Sequence, residues 1–216
     1  MRAIQKGQEP KSLSRHRASG NADFAPDYDN YQQKDDLRHN LVREQGAICC
    51  YCLKRIYPTQ EGMKIEHWHC QRNYGNEQLN YGNLLGACLG GEGKPFELQH
   101  CDTRKGYRPL SKNPAYPAHH IENFIRYSNG RIESPDPVLN AELQDVLNLN
   151  LKIHQDNRTS ALDGFLQSIS RRKGDFTKKQ LQRLISDWNG DDGSTRRPYC
   201  HVVVYWLRKR LARVSA

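Results

Sequence analysis

Four of the seven cysteines in this 216-residue chain constrain its fold more than any other feature. Cys49 and Cys52 form a C-x-x-C pair, and Cys88 and Cys101 form a second, wider pair. Two thiolates at the first spacing can turn back on one metal ion, and four thiolates complete a closed tetrahedral zinc site. Apolar residues make up only 36% of the chain, so its hydrophobic core is expected to be thin. We therefore predict that these four cysteines hold a structural zinc ion, which supplies folding free energy.

Several alternatives to this ligand set stay open. Cys50 competes with Cys49, because spacing does not separate adjacent thiols, and His69 and His100 are near enough to replace a thiolate. Some of the cysteines would otherwise be buried small apolar side chains. A C-x-x-C pair also occurs in thiol redox proteins, in which Cys49 would be a reactive thiol of low pKa. No βαβ pattern surrounds the pair, which argues against a thioredoxin-like protein.

The apolar runs of the chain are short. None approaches the roughly 18 to 20 residues of a membrane span, and the first residues contain no apolar run typical of a secretory signal. We therefore expect a cytoplasmic protein that has no membrane partner. Disulfides are rare in that compartment, so metal ligation explains clustered cysteines better than a disulfide framework does.

The positive charge of the chain is concentrated in its last segment. The formal net charge is +9, and residues 171–216 carry twelve Lys and Arg against four Asp and Glu. A basic segment on a nearly neutral body is typical of a surface that binds a polyanion, most simply nucleic acid. Arg171, Arg172 and Lys173 are candidates for contacts with a nucleic-acid backbone. A solvated surface or an acidic protein partner would show the same charge pattern.

Composition divides the chain into three regions. Residues 1–46 are predicted to form an extended arm over 1–29 and then a helix, and residues 47–110 contain most of the cysteines. Residues 111–216 combine a proline-rich connection with a basic, helical C-terminal region. Short apolar segments around 52–57 and 63–68 predict a β-hairpin in the middle region.

Helical spacing dominates outside the middle region. Apolar periodicity predicts helices over residues 30–46, 139–170 and 177–189, and Thr177 is suited to cap the last of them. Residues 201–214 have a helical stripe but begin with a β-branched run that also allows a strand. The expected fold class is α+β and mostly helical.

A second set of residues follows a fixed order around the cysteines. Glu66 and His67 stand side by side, Asn83 follows, and Asp102 comes directly after Cys101. Hydrolysis of a phosphodiester needs an activated water, a cation near the phosphate and fixed geometry. Carboxylates are the hard oxygen ligands that Mg²⁺ and Mn²⁺ prefer, and a neutral imidazole is available as a base at cellular pH.

This order resembles the HNH nuclease motif, in which zinc knuckles flank a ββα-metal unit. The match spans residues 49–106. The resemblance implies that Glu66 and Asp102 hold one catalytic divalent cation and that His67 is the general base. It also implies that the amide of Asn83 orients the imidazole and pins its loop.

Longer stretches are similar to the PtuB family of Septu-type and retron-associated anti-phage systems. The similar stretches are MRAIQKGQEPKSL, EQGAICCYC, IEHWHCQ, YGNLLGAC and HCDTRKG. This resemblance implies a nuclease effector of defence that cleaves DNA or RNA together with an ABC- or SMC-like ATPase, PtuA. It extends to a retron reverse transcriptase and its RNA–DNA product as further partners.

Basic and aromatic residues near the proposed site are candidates for contacts with the substrate. Lys105 is expected to contact a phosphate or to brace the knuckle, and Arg104 and Arg72 are further candidates for nucleic-acid contacts. Trp68 can stack on a base, although packing within the fold is an equal alternative.

The pattern departs from the commonest HNH motif in two places. Asp102 stands where His or Asn is usual, and the second cysteine pair is wider than C-x-x-C, which leaves the zinc geometry open. The rival hypothesis is a non-catalytic zinc module that binds nucleic acid or a protein partner. Such a module would explain the cysteines and the basic segment, but it does not require Glu66, His67 and Asp102 in that order.

Overall fold

The computed structural model describes residues 1–171, 174–190, 193 and 195–214. Its helices are α1 (Lys11–Arg17), α2 (Lys34–Gln45), α3 (Cys101–Lys105), α4 (Pro137–Ala141), α5 (Lys152–Ile169), α6 (Lys178–Asn189) and α7 (Cys200–Val214). Its strands are β1 (Lys64–His67), β2 (Leu84–Ala87), β3 (Arg126–Ser128) and β4 (Arg131–Glu133). The described chain is therefore mostly helical with two small sheets, in agreement with the expected fold class. None of its helices in the described ranges is long and apolar enough to cross a membrane.

The two central strands pair with each other in an antiparallel ladder. Glu66 lies opposite Leu85, and His67 lies opposite Leu84. The predicted hairpin between segments 52–57 and 63–68 is therefore wrong. Residues 52–57 instead turn back toward the chain before them, where Arg55 pairs with Ile48. Strand β1 pairs with β2, whose four residues are all buried and give β1 an apolar partner.

Local capping signals fix several helices where the sequence predicted them. Helix α2 begins at Lys34, four residues after its predicted start, and is capped at its C-terminus by Gly46, which is left-handed with φ of 65°. The side chain of Thr177 accepts a hydrogen bond from the Gln180 amide in a capping box at the start of α6. Residues 200–214 form a helix, which resolves the choice between helix and strand.

The helix predicted over residues 139–170 is broken. A π-helical turn at Glu142–Val146 follows α4, and the chain then leaves the helical path before α5 begins. Leu147 and Leu149 are fully buried there, and the amide of Asn150 donates to the Ile132 carbonyl. Burial of alternating leucines thus outweighs helical continuity in this segment.

The N-terminal segment is packed into the protein, so the expectation of an extended arm is wrong. Met1, Ile4 and Leu13 are buried in the main core, and Leu13 is brought there by α1. The same cluster of buried residues extends along the chain to Leu149. The predicted boundaries at residues 46 and 110 stay predictions.

A second core lies among the C-terminal helices. Phe165 of α5, Leu181 of α6, and Val203 and Leu207 of α7 are buried together. Tyr127 on β3 packs against both cores. An ion pair of 2.6 Å between Arg208 Nη1 and Glu122 Oε2 adds a polar contact between α7 and the segment before β3.

Candidate metal centre and adjacent acid–histidine site

The four cysteines of the two pairs meet in one buried cluster. All four sulfur atoms lie within 4.8 Å of one another, and the residues are Cys49, Cys52, Cys88 and Cys101. The distance between Sγ of Cys49 and Sγ of Cys101 is 3.9 Å, and that between Sγ of Cys52 and Sγ of Cys88 is 3.7 Å. Tetrahedral zinc with Zn–S bonds of about 2.3 Å separates its sulfur atoms by about 3.8 Å. The geometry therefore fits a metal ion such as zinc.

Cys50 lies outside this four-sulfur group, although it is adjacent to a member of it. Its backbone amide donates to the Gly86 carbonyl at 2.9 Å, which ties the cysteine turn to β2. Burial raises the pKa of the Cys50 thiol well above its usual value, so this side chain behaves as a small apolar group. The structure thus groups Cys49, and not its neighbour, with the other three thiols.

Cys49 is poorly placed for redox chemistry with an external partner. Burial raises the pKa of its thiol, but hydrogen bonds from Cys101 and the other cluster thiols outweigh burial and hold that pKa well below its usual value. A reactive thiol also needs access, and Cys49 is fully buried. A thiolate that is stabilised and enclosed in this way suits metal ligation.

Cys88 and Cys101 come together because the loop between them folds back on itself. Gly90 has φ of 60°, and a Cβ atom there would lie 2.2 Å from the His100 carbonyl oxygen. The His100 amide donates to the Gly90 carbonyl at 2.8 Å. This contact brings Cys101 back to Cys88 across the intervening loop, so the wide spacing does not prevent the four sulfur atoms from converging.

Two histidines border the thiol cluster. His100 Nδ1 lies 3.3 Å from Sγ of Cys101, and a second group of possible ligands consists of Cys52, His100 and His154. Both ring nitrogens of His154 are buried without a hydrogen-bond partner among the described residues. Arg158, one turn further along α5, donates to the carbonyl of Leu149. Helix α5 therefore faces the cluster with polar side chains.

Glu66 projects from β1 into a closed polar pocket and is 2% exposed. Its Oε1 accepts a hydrogen bond from the Tyr51 hydroxyl at 2.7 Å and lies 2.9 Å from Lys105 Nζ. Burial raises the pKa of the Glu66 carboxyl well above its usual value, the neighbouring Asp102 carboxylate raises it further, and Lys105 opposes both. The structure thus brings Glu66 and Asp102 together, and Asp102 is the more exposed of the two.

His67 is held as a neutral imidazole beside these carboxylates. Its Nε2 lies 3.0 Å from the Gln78 carbonyl oxygen, so Nε2 carries the hydrogen and Nδ1 carries the lone pair. Burial lowers the pKa of His67 to about 4, although the Gln78 hydrogen bond and Asp102 both act to raise it. The ring is therefore neutral at cellular pH and able to accept a proton at Nδ1.

Asn83 pins the loop that follows β1. Its Oδ1 accepts from the His69 amide at 2.7 Å, and its Nδ2 donates to the carbonyls of His69 at 2.9 Å and Glu77 at 3.3 Å. The expected role in pinning the loop agrees with these contacts. The Gln78 carbonyl contacts the His67 ring directly, and Asn83 acts on the backbone beside it, so its role in orienting the imidazole stays a prediction.

Lys105 is an internal residue, which corrects its interpretation as a nucleic-acid contact. It is 1% exposed, and its Nζ donates to the His67 carbonyl at 3.1 Å as well as pairing with Glu66. Helix α3 directs this side chain inward, whereas its neighbour Arg104 is half-buried, with its guanidinium 3.6 Å from the ring centre of Phe96 and its Nη1 donating to the Phe96 carbonyl at 2.6 Å. Lys105 therefore positions the acid–histidine pair.

The other basic candidates lie on the surface or outside the described residues. Arg72 is exposed, with its guanidinium 5.0 Å from the ring centre of Tyr107. Arg171 is exposed at the end of α5, and Arg172 and Lys173 lie outside the described residues. A role for these side chains in binding nucleic acid stays a prediction.

Tyr28 is a site residue that the sequence did not reveal. Its ring meets the His67 ring edge-on with 4.5 Å between centres, and its amide donates to Gln78 Oε1. Burial raises the pKa of the Tyr28 hydroxyl to about 12, with Asp102 adding to the rise and Arg38 opposing it. No local motif marks this tyrosine, because only the folding of residues 1–46 over β1 brings it to the site.

Comparison with known proteins gives one distant relative, and no protein-family model matches the chain. The chain is 23% identical over 127 residues to Septu protein PtuB of Bacillus thuringiensis. The aligned part covers 56% of this chain and 46% of the relative, so the chain spans about half the length of the curated protein that it matches. The chain is thus distantly similar to a Septu protein.

Proposed function

We propose that this protein is a metal-dependent endonuclease of the HNH type, which hydrolyses phosphodiester bonds in DNA or RNA. Strands β1 and β2 followed by α3 would form the ββα-metal core. The observation that carries the proposal is the convergence of Glu66, Asp102 and a neutral His67 beside a four-thiol cluster. A zinc module that only binds a partner would not need a buried acid–histidine group.

Glu66 and Asp102 are suited to hold one divalent cation. The contacts of Glu66 with Tyr51 and Lys105 are made through Oε1, and a hydrogen bond joins the Glu66 and Asp102 carboxyl groups, so the two lie close enough to share one ligand. The pKa of Glu66 is raised because its carboxylate is buried next to that of Asp102. A hard cation such as Mg²⁺ or Mn²⁺ would offset the repulsion between these two carboxylates. When bound, the cation would neutralise charge on the phosphate and on the departing oxygen.

His67 supplies the base in this proposal. Nδ1 takes a proton from the attacking water, while Nε2–H stays bonded to the Gln78 carbonyl and fixes the ring. The imidazolium that forms is stabilised by the same carbonyl and by the negative charge of Asp102. Asn83 and Lys105 keep the backbone around His67 in place and contact no reacting atom.

The distant similarity to a Septu protein supports a role in defence against phage. In this proposal the protein is an effector that acts with an ATPase of the PtuA type, and a retron reverse transcriptase with its RNA–DNA product is a further candidate partner. Among the described residues, the exposed Arg72 and Arg171 and the half-buried Arg104 are candidates for contacts with the substrate backbone.

The test is cleavage of plasmid DNA and of RNA with Mg²⁺ or Mn²⁺, in the presence and absence of the partner ATPase. His67→Ala is expected to lower the cleavage rate by at least about 10²-fold, because a general base contributes that much. His39→Ala removes an exposed histidine on α2 and is the matched control, with the parent rate expected. Equal rates for His67→Ala and the parent, or no metal-dependent cleavage by the parent with its partner, would contradict the proposal.

A further inference from the structure

A cleft lies beside the acid–histidine site. The segment that contains Glu77 and Gln78 separates the cleft from the His67 imidazole. Trp68, His69, Asn80, Asn113, Tyr116 and His119 line the cleft together with Glu77, Gly82 and Asn83. Asn83 binds the backbone of His69 and of Glu77, and the next residue, Gln78, binds His67. The cleft and the imidazole therefore share one wall.

Aromatic rings form much of the cleft. The rings of Trp68 and His69 have centres 4.2 Å apart, and the His69 ring stacks on Tyr74 at 4.3 Å with 15° between the planes. On the other side, Tyr116 meets His119 edge-on at 4.8 Å, and Tyr116 is 56% exposed. Aromatic faces of this kind stack on unpaired bases of nucleic acid.

Most polar side chains of the cleft present hydrogen-bond donors, and the exception is the Glu77 carboxylate, whose Oε2 lies 2.9 Å from His69 Nδ1. His119 Nδ1 accepts from the Asn113 amide at 2.7 Å, so its Nε2 carries the hydrogen. The side-chain oxygens of Asn80 and Asn113 accept from the amides of Gly82 and Ala115, which makes the amino groups their donors toward a ligand.

We propose that this cleft receives one unstacked nucleobase of the substrate strand, next to the phosphate that is cleaved. A lining rich in donors favours a base edge that presents acceptors, as guanine does with O6 and N7. The inference rests on the proposed function for its link to cleavage, but the binding of a base to the cleft can be measured without cleavage. The cleft would then set which nucleotide stands beside the cut.

The first test is a binding experiment in the His67→Ala background. GMP, AMP, CMP, UMP and inorganic phosphate are titrated while tryptophan fluorescence is recorded, because Trp68 lies in the cleft. Quenching by GMP at concentrations where phosphate has no effect is expected, and Trp68→Phe should abolish it. Tyr116→Ala should weaken binding about tenfold, and Tyr57→Ala is the control because Tyr57 is 62% exposed elsewhere. Quenching by phosphate alone, or equal binding by the two tyrosine variants, would overturn the inference.

The second test compares cut sites in randomised single-stranded RNA and DNA. The parent is expected to show a preference at one position beside the cut, and Tyr116→Ala should flatten it while Tyr57→Ala preserves it. An unchanged preference in Tyr116→Ala would refute the role of the cleft and leave the nuclease proposal standing. Base binding without any cleavage by the parent, even with its partner ATPase, would refute the nuclease proposal and leave the base site standing.

Discussion

Lys105 Nζ lies 2.9 Å from Glu66 Oε1, and the two side chains are only 1% and 2% exposed. The ammonium also donates to the His67 carbonyl at 3.1 Å. One lysine on α3 therefore holds both adjacent residues at the end of β1. Because Asp102 adds a second negative charge beside Glu66, Lys105 is the cation that offsets this charge in the protein alone.

Replacing Lys105 should destabilise the protein strongly. Lys105→Met leaves Glu66 buried beside Asp102 without a cation, and breaking a buried ion pair in this way costs about 3–5 kcal/mol. Urea denaturation without divalent cations would measure the loss in the free energy of unfolding. Arg104→Met is the matched control on the same helix, with a smaller expected loss of about 1 kcal/mol from its contact with Phe96. Equal losses for the two variants would count against this account of Lys105.

Removal of one cluster thiol should release the metal. Cys101→Ser is expected to lower bound zinc from about one ion per chain to a small fraction of that, because a closed tetrahedral site needs all four thiolates. Cys50→Ser should retain the metal, since Cys50 lies outside the four-sulfur group. Zinc content by elemental analysis is the measurement. Loss of zinc in both variants to the same extent would contradict the ligand set.

Asn83→Ala should loosen the loop after β1. The variant loses the acceptor of the His69 amide and the donor to the carbonyls of His69 and Glu77. We expect amide hydrogen exchange at His69 to become about tenfold faster, which corresponds to about 1.4 kcal/mol. Under the proposed function, cleavage falls as well, while exposed Asn76→Ala leaves both quantities unchanged. Unchanged exchange at His69 would show that Asn83 does not hold this loop.

Acid should destabilise the protein through His201. This side chain is 1% exposed, and burial lowers its pKa to about 4, whereas an unfolded chain has a histidine pKa near about 6.5. The unfolded state therefore binds more protons between these values, so stability is lost as the pH falls below about 6.5. The expected loss from His201 alone between pH 7 and pH 5 is about 2 kcal/mol, and the buried His67 and His154, whose pKa values burial lowers in the same way, add to the total. Urea midpoints at the two pH values measure this loss of stability. His201→Phe should remove the part that His201 contributes. An equal loss in that variant would exclude His201 as the cause.

The sequence predicted those features of the fold that depend on short-range chemistry. Thr177 and Gly46 mark helix ends because their side chain or backbone acts on residues within one turn. The four ligating cysteines were predictable because metal geometry constrains them wherever the chain runs between them. The pairing of β1 with β2 was missed, since it depends on the buried segment Leu84–Ala87 and not on a local turn.

The sequence predicted the residue types of the candidate site but not the residues that hold them in place. Lys105 and Arg104 are adjacent basic residues, and only the orientation of α3 buries the first and leaves the second half-buried against Phe96. Tyr28 reaches His67 because the N-terminal segment is buried, which a polar, irregular sequence does not indicate. The contact of His67 with the Gln78 carbonyl could not be predicted from the sequence, since every residue has a backbone carbonyl.

The fold-back at Gly90 has a consequence for how such proteins are recognised. The loop between Cys88 and Cys101 closes on itself at Gly90 and His100, next to the two cysteines that it brings together. Insertions at the tip of this loop are therefore expected to be tolerated, whereas any side chain at Gly90 would push the two ends apart. Rules that require two tight cysteine pairs would overlook chains built in this way, and a glycine just after the third cysteine is the better marker.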